Sequence, residues 1–356
     1  MTKVAIVGAG VMGTATAYPL SDNGHEVRLV GTHLDREIIQ SCKDNHFHPK
    51  LKRELPAGVR AYFVEELAEA LEGVEIIVSG VNSQGVHWSA QTLGPHLRPG
   101  HLVIAVTKGL EATADGDWVI LPDVVYRELP AGIRDQVTLA AIGGPCIAGE
   151  LAGRRQSCVV FGCRNREAVE RLAATFRTDY YHVWTTTDLV GLEYGAALKN
   201  AFALGVGLAA GILEKTGGVD KAGAHMFNMA AAVFAEGCAE ISRLLEIAGA
   251  TREFAYMLPG AGDLYVTSMG GRTTRLAYLL GLGHSYTEAR QMMVGETLEA
   301  AEIVRTMGQA LPKMVGRGTL GSDELPLLRS LIDIVVHGQP VNIPFDKFFW
   351  TQKGGE

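Results

Sequence analysis

The sequence has few cysteines, no excess of basic residues and no long uninterrupted apolar run. Its five cysteines include no CxxC pair, so a reducing compartment is expected rather than a disulfide framework or a zinc site. The net charge of −7 is opposite to the basic surplus of nucleic-acid binders. The longest apolar candidate, residues 201–213, is Gly-interrupted and too short to cross a bilayer. These absences predict a cytoplasmic protein without a metal site, a nucleic-acid partner or a stable membrane association.

The chain does have alternating strand-like and helix-like segments over its first half. At 356 residues with 47% apolar content, it is long enough for two domains. The predicted strands are Val4–Val7, Val27–Val30, Ile76–Ser79, Leu102–Val106, Thr138–Ile142 and Cys158–Phe161. The first five lack strict polar alternation, which is typical of strands buried on both faces. With helices between them, they predict a parallel, doubly wound α/β sheet.

The pattern changes after about residue 187, where Ala-rich helical segments replace the strands. Helices are predicted over residues 192–213, 222–248, 273–282, 286–293 and 298–307. The fold class is therefore α/β: a Rossmann domain over residues 1–188, followed by an all-helical substrate domain over residues 189–356.

A GxGxxG motif, Gly8-Ala9-Gly10-Val11-Met12-Gly13, follows the first strand and opens a helix predicted over residues 14–21. In that context the first glycine permits a tight turn and the second permits close approach of a pyrophosphate. The third allows the helix to pack against the strand. The motif predicts a bound NAD or NADP, whereas a Gly-rich turn without a nucleotide is the simpler alternative.

The end of the second strand does not decide between NAD and NADP. NAD-specific folds usually place an acid there on the ribose 2′-hydroxyl, but the chain continues Gly31-Thr32-His33. Thr32 and His33 are predicted donors to a 2′-phosphate. Asp35 has the reach for the ribose, but its position better fits a cap on the next helix. The balance slightly favours tolerance of NADP.

Two further segments follow predicted strands, at the sheet edge where open α/β folds bind ligands. Lys108, in Thr-Lys-Gly-Leu-Glu, is a predicted carbonyl or phosphate contact, although most lysines are simply exposed. Residues 143–150, Gly-Gly-Pro-Cys-Ile-Ala-Gly-Glu, form an irregular turn whose amides are suited to face a ligand. Cys146 has no evident histidine partner and is interpreted as a lining residue.

Two segments of the second half carry candidate catalytic groups. Lys199 lies in an otherwise apolar helix, where an unpaired ammonium is costly, so it is the predicted proton donor. The alternative is a lysine that extends to the helix edge. Asp263 is placed to orient such a lysine, or else caps a helix. The Gly-Gly-Arg turn ending at Arg272 offers a guanidinium fork to a phosphate.

Together, the segments GAGVMG, TKGLE, GGPCIAGE, EYGAALKN and GAGDLYVTSMGGR resemble the NAD(P)-dependent glycerol-3-phosphate dehydrogenase family across nearly the whole chain. The resemblance implies a 6-phosphogluconate-dehydrogenase-like fold, a homodimer, and catalytic roles for Lys199, Lys108 and Asp263. The implied substrate contacts are Lys108, Gly144, Asp263, Thr267, Gly271, Arg272 and Thr273. With the residues reasoned above, the predicted cofactor contacts are Gly8, Gly10, Val11, Met12, Gly13, Thr32, His33, Lys108, Cys146, Ala148, Arg272 and Glu296.

The sequence departs from the family at two places. Thr273 stands where the family has Asn after the loop arginine, and the family's VEG segment reads Met-Val-Gly-Glu, ending at Glu296. Another phosphorylated ketose or polyol therefore stays an alternative substrate for the same fold. A nucleotide-binding sensor without turnover is disfavoured because it has no need of a proton donor. Oxidation of a sugar nucleotide needs a catalytic cysteine in the second domain, where Cys238 looks structural.

Overall fold

A computed structural model describes residues 1–349 of the chain. Its contacts divide into two compact units. The first contains residues 1–108 and 120–193, and the second contains residues 109–119 and the chain from Tyr194 onward. The predicted boundary at residue 188 cuts the sequence once, whereas the chain passes between these units three times.

The first unit is built on an eight-stranded sheet whose central strands are fully buried. From one edge to the other the strands are Tyr181–Thr186, Ser157–Cys163, Thr138–Gly143, Leu102–Ala105, Ile76–Ser79, Lys3–Val7, Glu26–Val30 and Arg60–Tyr62. The order of the strands reverses at Lys3–Val7, which pairs with Ile76–Ser79 on one side and with Glu26–Val30 on the other. Open α/β sheets bind ligands at such a reversal. The apolar side chains of Lys3–Val7 enter two core clusters, one on each face.

Helices and short 3-10 turns connect these strands. The helices are Val11–Ala15, Ala17–Asp22, Arg36–Asn45, Leu67–Ala70, Val86–Leu93, Leu121–Glu128, Ala148–Ala152 and Arg166–Phe176. The 3-10 turns are Val64–Glu66, Ser83–Gly85, Gly94–His96 and Arg134–Gln136. Two small strand pairs, Phe47–His48 with Arg53–Glu54 and Leu110–Ala112 with Trp118–Ile120, lie outside the main sheet.

The doubly wound α/β prediction is confirmed, with three corrections. The sheet is not wholly parallel, because Ser157–Cys163 runs antiparallel to Thr138–Gly143. The edge strands Arg60–Tyr62 and Tyr181–Thr186 are absent from the predicted set, because neither is a continuous apolar run. The helix predicted over residues 14–21 is interrupted at Thr16, because Pro19 has no amide hydrogen to donate to the fourth carbonyl before it.

Beyond residue 188 the described part of the chain consists of helices joined by loops, without a β-strand, which agrees with the predicted helical character of this half. The α-helices are Leu189–Lys215, Phe227–Ile247, Asp263–Ser268, Arg272–Leu282, Tyr286–Gln291, Glu299–Gly316 and Pro326–Val335. Arg252–Ala255 and Phe345–Lys347 are 3-10 turns, and Leu258–Gly262 is a wider π-type turn. The β-branched segment Ile332–Val336 falls largely in the helix Pro326–Val335.

The helix Leu189–Lys215 is long and apolar enough to resemble a membrane span by length and composition. However, 78% of its most apolar window is buried inside the protein, which is the pattern of a core helix. Lys199 and Asn200 are buried polar residues in its middle. Lys199 bonds to Asp263 and Thr267 of the helix Asp263–Ser268, which connects this helix to another helix of the second unit.

Candidate active site

The glycine motif forms a tight turn at the carboxyl end of strand Lys3–Val7. Gly8 has a φ of 112°, and a Cβ there would lie 2.7 Å from the carbonyl carbon of Gly80. A Cβ on Gly13 would lie 2.7 Å from the Gly8 carbonyl oxygen. At Gly10 the nearest atom is 3.5 Å away, so this position is open by comparison. Gly8 and Gly13 are thus required by the fold, whereas Gly10 leaves room for a ligand beside the backbone.

The structure corrects the interpretation of the residues after the second strand. The Asp35 side chain makes no capping hydrogen bond to the helix Arg36–Asn45. Its Oδ2 accepts from the Thr32 amide at 2.9 Å, the Thr32 hydroxyl at 2.8 Å and the Ala9 amide at 3.2 Å. The Thr32 hydroxyl hydrogen is therefore committed to Asp35, which argues against its predicted role as a donor to a 2′-phosphate. His33 is exposed and lies edge-on to Trp88, with 5.4 Å between ring centroids.

The two polar turns predicted at the sheet edge do meet. Lys108 and Gly144 follow the adjacent parallel strands Leu102–Ala105 and Thr138–Gly143. The Lys108 ammonium donates to the Gly144 carbonyl oxygen at 3.1 Å, and Gly144 has a φ of 116° that favours glycine. Half-buried Cys146 follows in the same turn, half-buried Ala148 begins the next helix, and both pack against the sheet core. The arrangement places a cation at the ligand-binding edge of the sheet.

Glu193 is a buried acid to which the sequence analysis gave no role. The residue is 1% exposed, and both of its carboxyl oxygens are buried. Burial raises the pKa of this carboxyl to about 8, while the backbone of Leu121 and the charge of Lys108 act in the opposite direction. A glutamate one residue before Tyr194 in a helix gives no sequence signal of such burial, because the burial depends on distant chain segments.

In the second unit, Lys199 lies at the centre of a buried polar cluster. Its ammonium donates to Asp263 Oδ1 at 2.9 Å and to the Thr267 hydroxyl oxygen at 2.5 Å. The side chains of Lys199 and Asp263 are 6% and 4% exposed. Asp263 and Thr267 are four residues apart in the helix Asp263–Ser268, so they present their oxygens on one face. The cluster thus holds an ammonium in a fixed position with charge compensation.

Glycines shape the contact between the helix of Lys199 and the turn that precedes Asp263. A Cβ on Gly260, in the π-type turn, would lie 2.3 Å from the Ala255 carbonyl oxygen. A Cβ on Gly195 would lie 3.3 Å from the Pro259 side chain. Gly260 lets the turn close on Ala255, and Gly195 has no side chain facing Pro259, so the turn that leads into Asp263 packs closely against the helix of Lys199.

The predicted phosphate turn lies at the start of the helix Arg272–Leu282. Gly271 has a φ of 91° and is exposed, as is Arg272, whose guanidinium pairs with Glu299 at 2.6 Å. Thr273 is largely buried. Glu296, a predicted cofactor contact, pairs with Arg275 at 2.6 Å. A guanidinium has five N–H donors, so the single pairing of Arg272 leaves others for an anionic ligand.

Residues 1–349 contain no group of three or more His, Cys, Asp or Glu side chains arranged to hold a metal ion. The glycine turn at the reversal point of the sheet places this chain among the dinucleotide-binding proteins of the Rossmann class.

Comparison with known proteins defines the class further. A family model described as the NAD-dependent glycerol-3-phosphate dehydrogenase N-terminus matches residues 3–169, and the model of the corresponding C-terminus matches residues 188–345. The chain belongs to the NAD-dependent glycerol-3-phosphate dehydrogenase family. The resemblance stated from the sequence motifs is thereby confirmed.

Individual relatives agree with this assignment. The chain is 34% identical over 307 residues to the NADP(+)-dependent glycerol-3-phosphate dehydrogenase of Archaeoglobus fulgidus, covering 86% of this chain and 88% of that protein. It is 33% identical over 346 residues to a glycerol-3-phosphate dehydrogenase [NAD(P)+] of Bacillus cereus, covering 96% and 93%. The crystal structure of the Coxiella burnetii glycerol-3-phosphate dehydrogenase is similar, with a TM-score of 0.77, 26% identity and coverage of 95% and 96%.

Proposed function

We propose that this protein interconverts dihydroxyacetone phosphate and sn-glycerol 3-phosphate with NAD(H) or NADP(H). The observation that carries the proposal is the buried Lys199–Asp263–Thr267 cluster in a chain whose two halves both match this family. In the reducing direction a ketone, a hydride and a proton give a secondary alcohol. A proton donor, a site for the phosphate and a site for the dinucleotide are therefore needed.

The residues of the glycine turn fit a dinucleotide. Gly10 leaves an open space beside the backbone that a side chain at this position would partly fill. The turn also lies where the order of the strands in the sheet reverses. Gly8, Gly10, Val11, Met12 and Gly13 would hold the pyrophosphate. When bound, the cofactor supplies or accepts the hydride at its nicotinamide ring.

Lys199 is the proposed proton donor and acceptor. In ketone reduction its ammonium gives a proton to the carbonyl oxygen at C2 as the new C–H bond forms, and in the reverse direction the neutral amine takes the hydroxyl proton. Asp263 and Thr267 fix the amine through the two hydrogen bonds described above. We propose that these two residues hold the lysine in one rotamer and that the carboxylate of Asp263 compensates its charge.

The remaining cations are proposed to bind the anionic substrate. Arg272, beside exposed Gly271, would hold the phosphate through donors that Glu299 does not occupy. Lys108 would contact the substrate at the edge of the sheet, together with Gly144. Thr273 and Glu296 stay predicted contacts.

An acid near the ribose can exclude NADP by repelling its 2′-phosphate, but Asp35 is not expected to do so here. Asp35 accepts three hydrogen bonds from the protein itself, so its charge is partly compensated before a ribose arrives. Use of both cofactors is accordingly proposed. A homodimer, a cytoplasmic location and a role in supplying glycerol phosphate for phospholipid synthesis are further parts of this proposal.

Initial-rate kinetics with dihydroxyacetone phosphate and either NADH or NADPH test the function directly. Loss of absorbance at 340 nm should depend on both the ketone and the cofactor. A panel of phosphorylated ketones with three to five carbons serves as the comparison, because Thr273 differs from the family residue. A higher kcat/KM for a larger ketone would replace the proposed substrate, and absence of turnover with every ketone would favour a non-enzymatic nucleotide-binding protein.

A further inference from the structure

The residue between the first two glycines of the turn is held by side chains on both of its polar groups. Ala9 is fully buried. Its amide donates to Asp35 Oδ2 at 3.2 Å, and its carbonyl oxygen lies 2.8 Å from Nε2 of His48. Asp35 and His48 are 26 and 39 residues away in sequence. Two long-range contacts thus meet at one residue of the nucleotide-binding turn.

The hydrogen bonds of His48 define its protonation state. Nδ1 accepts from the Leu51 amide at 2.9 Å, so Nδ1 carries no proton. Nε2 must then be the protonated nitrogen, and it donates to the Ala9 carbonyl oxygen. Burial lowers the pKa of His48, against the opposing effects of the hydrogen bond to Ala9, of the backbone of His48 itself and of the Asp35 charge, with Lys50 adding to the lowering. A neutral imidazole in this single tautomer is consistent with both bonds.

The two contacts orient consecutive peptide groups. The Ala9 amide belongs to the peptide that links Gly8 to Ala9, and its carbonyl belongs to the peptide that links Ala9 to Gly10. In a trans peptide the N–H and C=O point in opposite directions. Because the Ala9 carbonyl points at His48, the Gly10 N–H points away from His48. Gly10 is the position of the turn that is open to a ligand.

We infer that Asp35 and His48 are positioning residues that fix the peptides on either side of Ala9 and thereby hold the Gly10 N–H ready for the cofactor. Asp35, a few residues after the second strand, is the nearest acid with the reach for a ribose, but its carboxylate accepts from Ala9 and Thr32 instead. This role rests on the proposed dinucleotide-dependent function. It means that Asp35 strengthens the binding of NAD and NADP alike and does not select between them.

The first test measures equilibrium binding of NADH and NADPH to the full chain by cofactor fluorescence. Asp35→Ala should weaken both cofactors by the same factor, about ten- to hundredfold, the scale of hydrogen bonds to a charged group. Asp35→Asn, which keeps one acceptor oxygen, should lie between this variant and the wild type. If Asp35 instead binds the ribose hydroxyl, the variants will weaken NADH while sparing NADPH, and the inference fails.

The second test separates the two bonds of His48. In His48→Gln the amide nitrogen can replace Nε2 as donor to Ala9, so cofactor binding should stay within about threefold of the wild type. In His48→Asn the side chain is too short for Ala9 but can still accept from Leu51, so both cofactors should bind about tenfold more weakly. Equal binding by the two variants would overturn the role of the Ala9 contact.

A buried histidine elsewhere in the same unit provides the control. His101 is 5% exposed, its Nδ1 accepts from the Arg98 amide at 3.2 Å, and burial lowers its pKa as well. His101→Asn should reduce the midpoint of urea unfolding without changing cofactor binding. If His101→Asn weakens binding as much as His48→Asn, the effect is general destabilisation and the inference is wrong.

Two further results complete the design. Thr32→Val removes one donor to Asp35 and leaves the Ala9 contacts in place. It should weaken the binding of both cofactors less than Asp35→Ala does. This comparison tests the role of Asp35 even if a His48 variant does not fold. A wild-type protein that binds neither NADH nor NADPH would defeat the proposed function itself. A wild-type protein that binds them, with variants that bind equally well, would defeat only the positioning role.

Discussion

Lys199 and Asp263 form an ion pair of 2.9 Å in which both side chains are less than a tenth exposed. They lie 64 residues apart in sequence, on two different helices of the second unit. A pair this well buried is costly to break from one side, because the remaining charge loses its partner without gaining water. The same contact that fixes a proton donor therefore also stabilises the unit.

The catalytic side of this relationship is tested by Lys199→Ala. The variant should lower kcat for dihydroxyacetone phosphate reduction at least about a hundredfold, the scale of general acid–base catalysis, while NADH binding is retained. Lys215→Ala, at the exposed end of the same helix, is the matched control and should leave kcat unchanged. Turnover near the wild-type value in Lys199→Ala would remove this lysine from its proposed role.

The structural side is tested by a double-mutant cycle. Asp263→Leu alone should lower the free energy of unfolding by about 3–5 kcal/mol, since it removes the carboxylate that pairs with a buried ammonium. The double variant Lys199→Met/Asp263→Leu should recover much of that loss, because neither charge remains. Urea unfolding monitored by circular dichroism gives the four values. Additive effects of the two changes would show that the ion pair contributes no coupling energy.

Glu193 should make stability depend on pH. Its pKa in the folded protein is about 8, above its ordinary value of 4.5, so the folded state holds a proton that the unfolded state releases. The contribution of Glu193 to stability is therefore complete below about pH 4.5 and declines as the pH rises through about 8. In Glu193→Gln this decline should be absent. The variant should gain stability relative to the wild type between pH 6 and pH 9, measured by urea unfolding.

The control for this pH dependence is Glu214→Gln, which changes an exposed glutamate near the end of the same long helix. Its unfolding curves should follow those of the wild type at every pH. A Glu193→Gln variant with the wild-type pH dependence would show that the carboxyl titrates normally in the folded protein.

The two glycines of the turn should respond differently to alanine. Gly13→Ala places a Cβ 2.7 Å from the Gly8 carbonyl oxygen, so both the thermal midpoint and cofactor binding should fall. Gly10→Ala meets its nearest atom at 3.5 Å, an ordinary contact, so the fold should keep its thermal midpoint while cofactor binding weakens. Unchanged cofactor binding in Gly10→Ala would place the pyrophosphate elsewhere.

The sequence predicts the centre of the sheet better than its edges, for a physical reason. Ile76–Ser79 is fully buried on both faces, so its continuous apolar run is diagnostic and its predicted bounds are confirmed. Arg60–Tyr62 has three residues and an exposed arginine, and it becomes a strand only by pairing with Glu26–Val30. The antiparallel direction of Ser157–Cys163 likewise depends on how the preceding turn folds back, which no local pattern encodes.

The candidate site follows the same rule. The glycine motif, Lys108 and Lys199 are recognisable because their spacing and context are local. The environment of Asp35, Glu193 and His48 is set by chain segments far away in sequence, so their contacts became visible only in the structure. A carboxylate near the end of the second strand is easily interpreted as a cofactor ligand when it in fact contacts the turn beside it.

The excursion of residues 109–119 into the second unit limits how the protein can be divided. This segment comes from the N-terminal half, yet Lys313 in the helix Glu299–Gly316 and Arg317 directly after it bond to its carbonyl oxygens at Ala114 and Asp115. A fragment beginning at residue 189 would lack these partners and expose the helix surface that they cover. Neither half of the gene would then encode a part that folds on its own. Recombination with relatives would preserve folding only if residues 109–119 and the helical half came from the same parent.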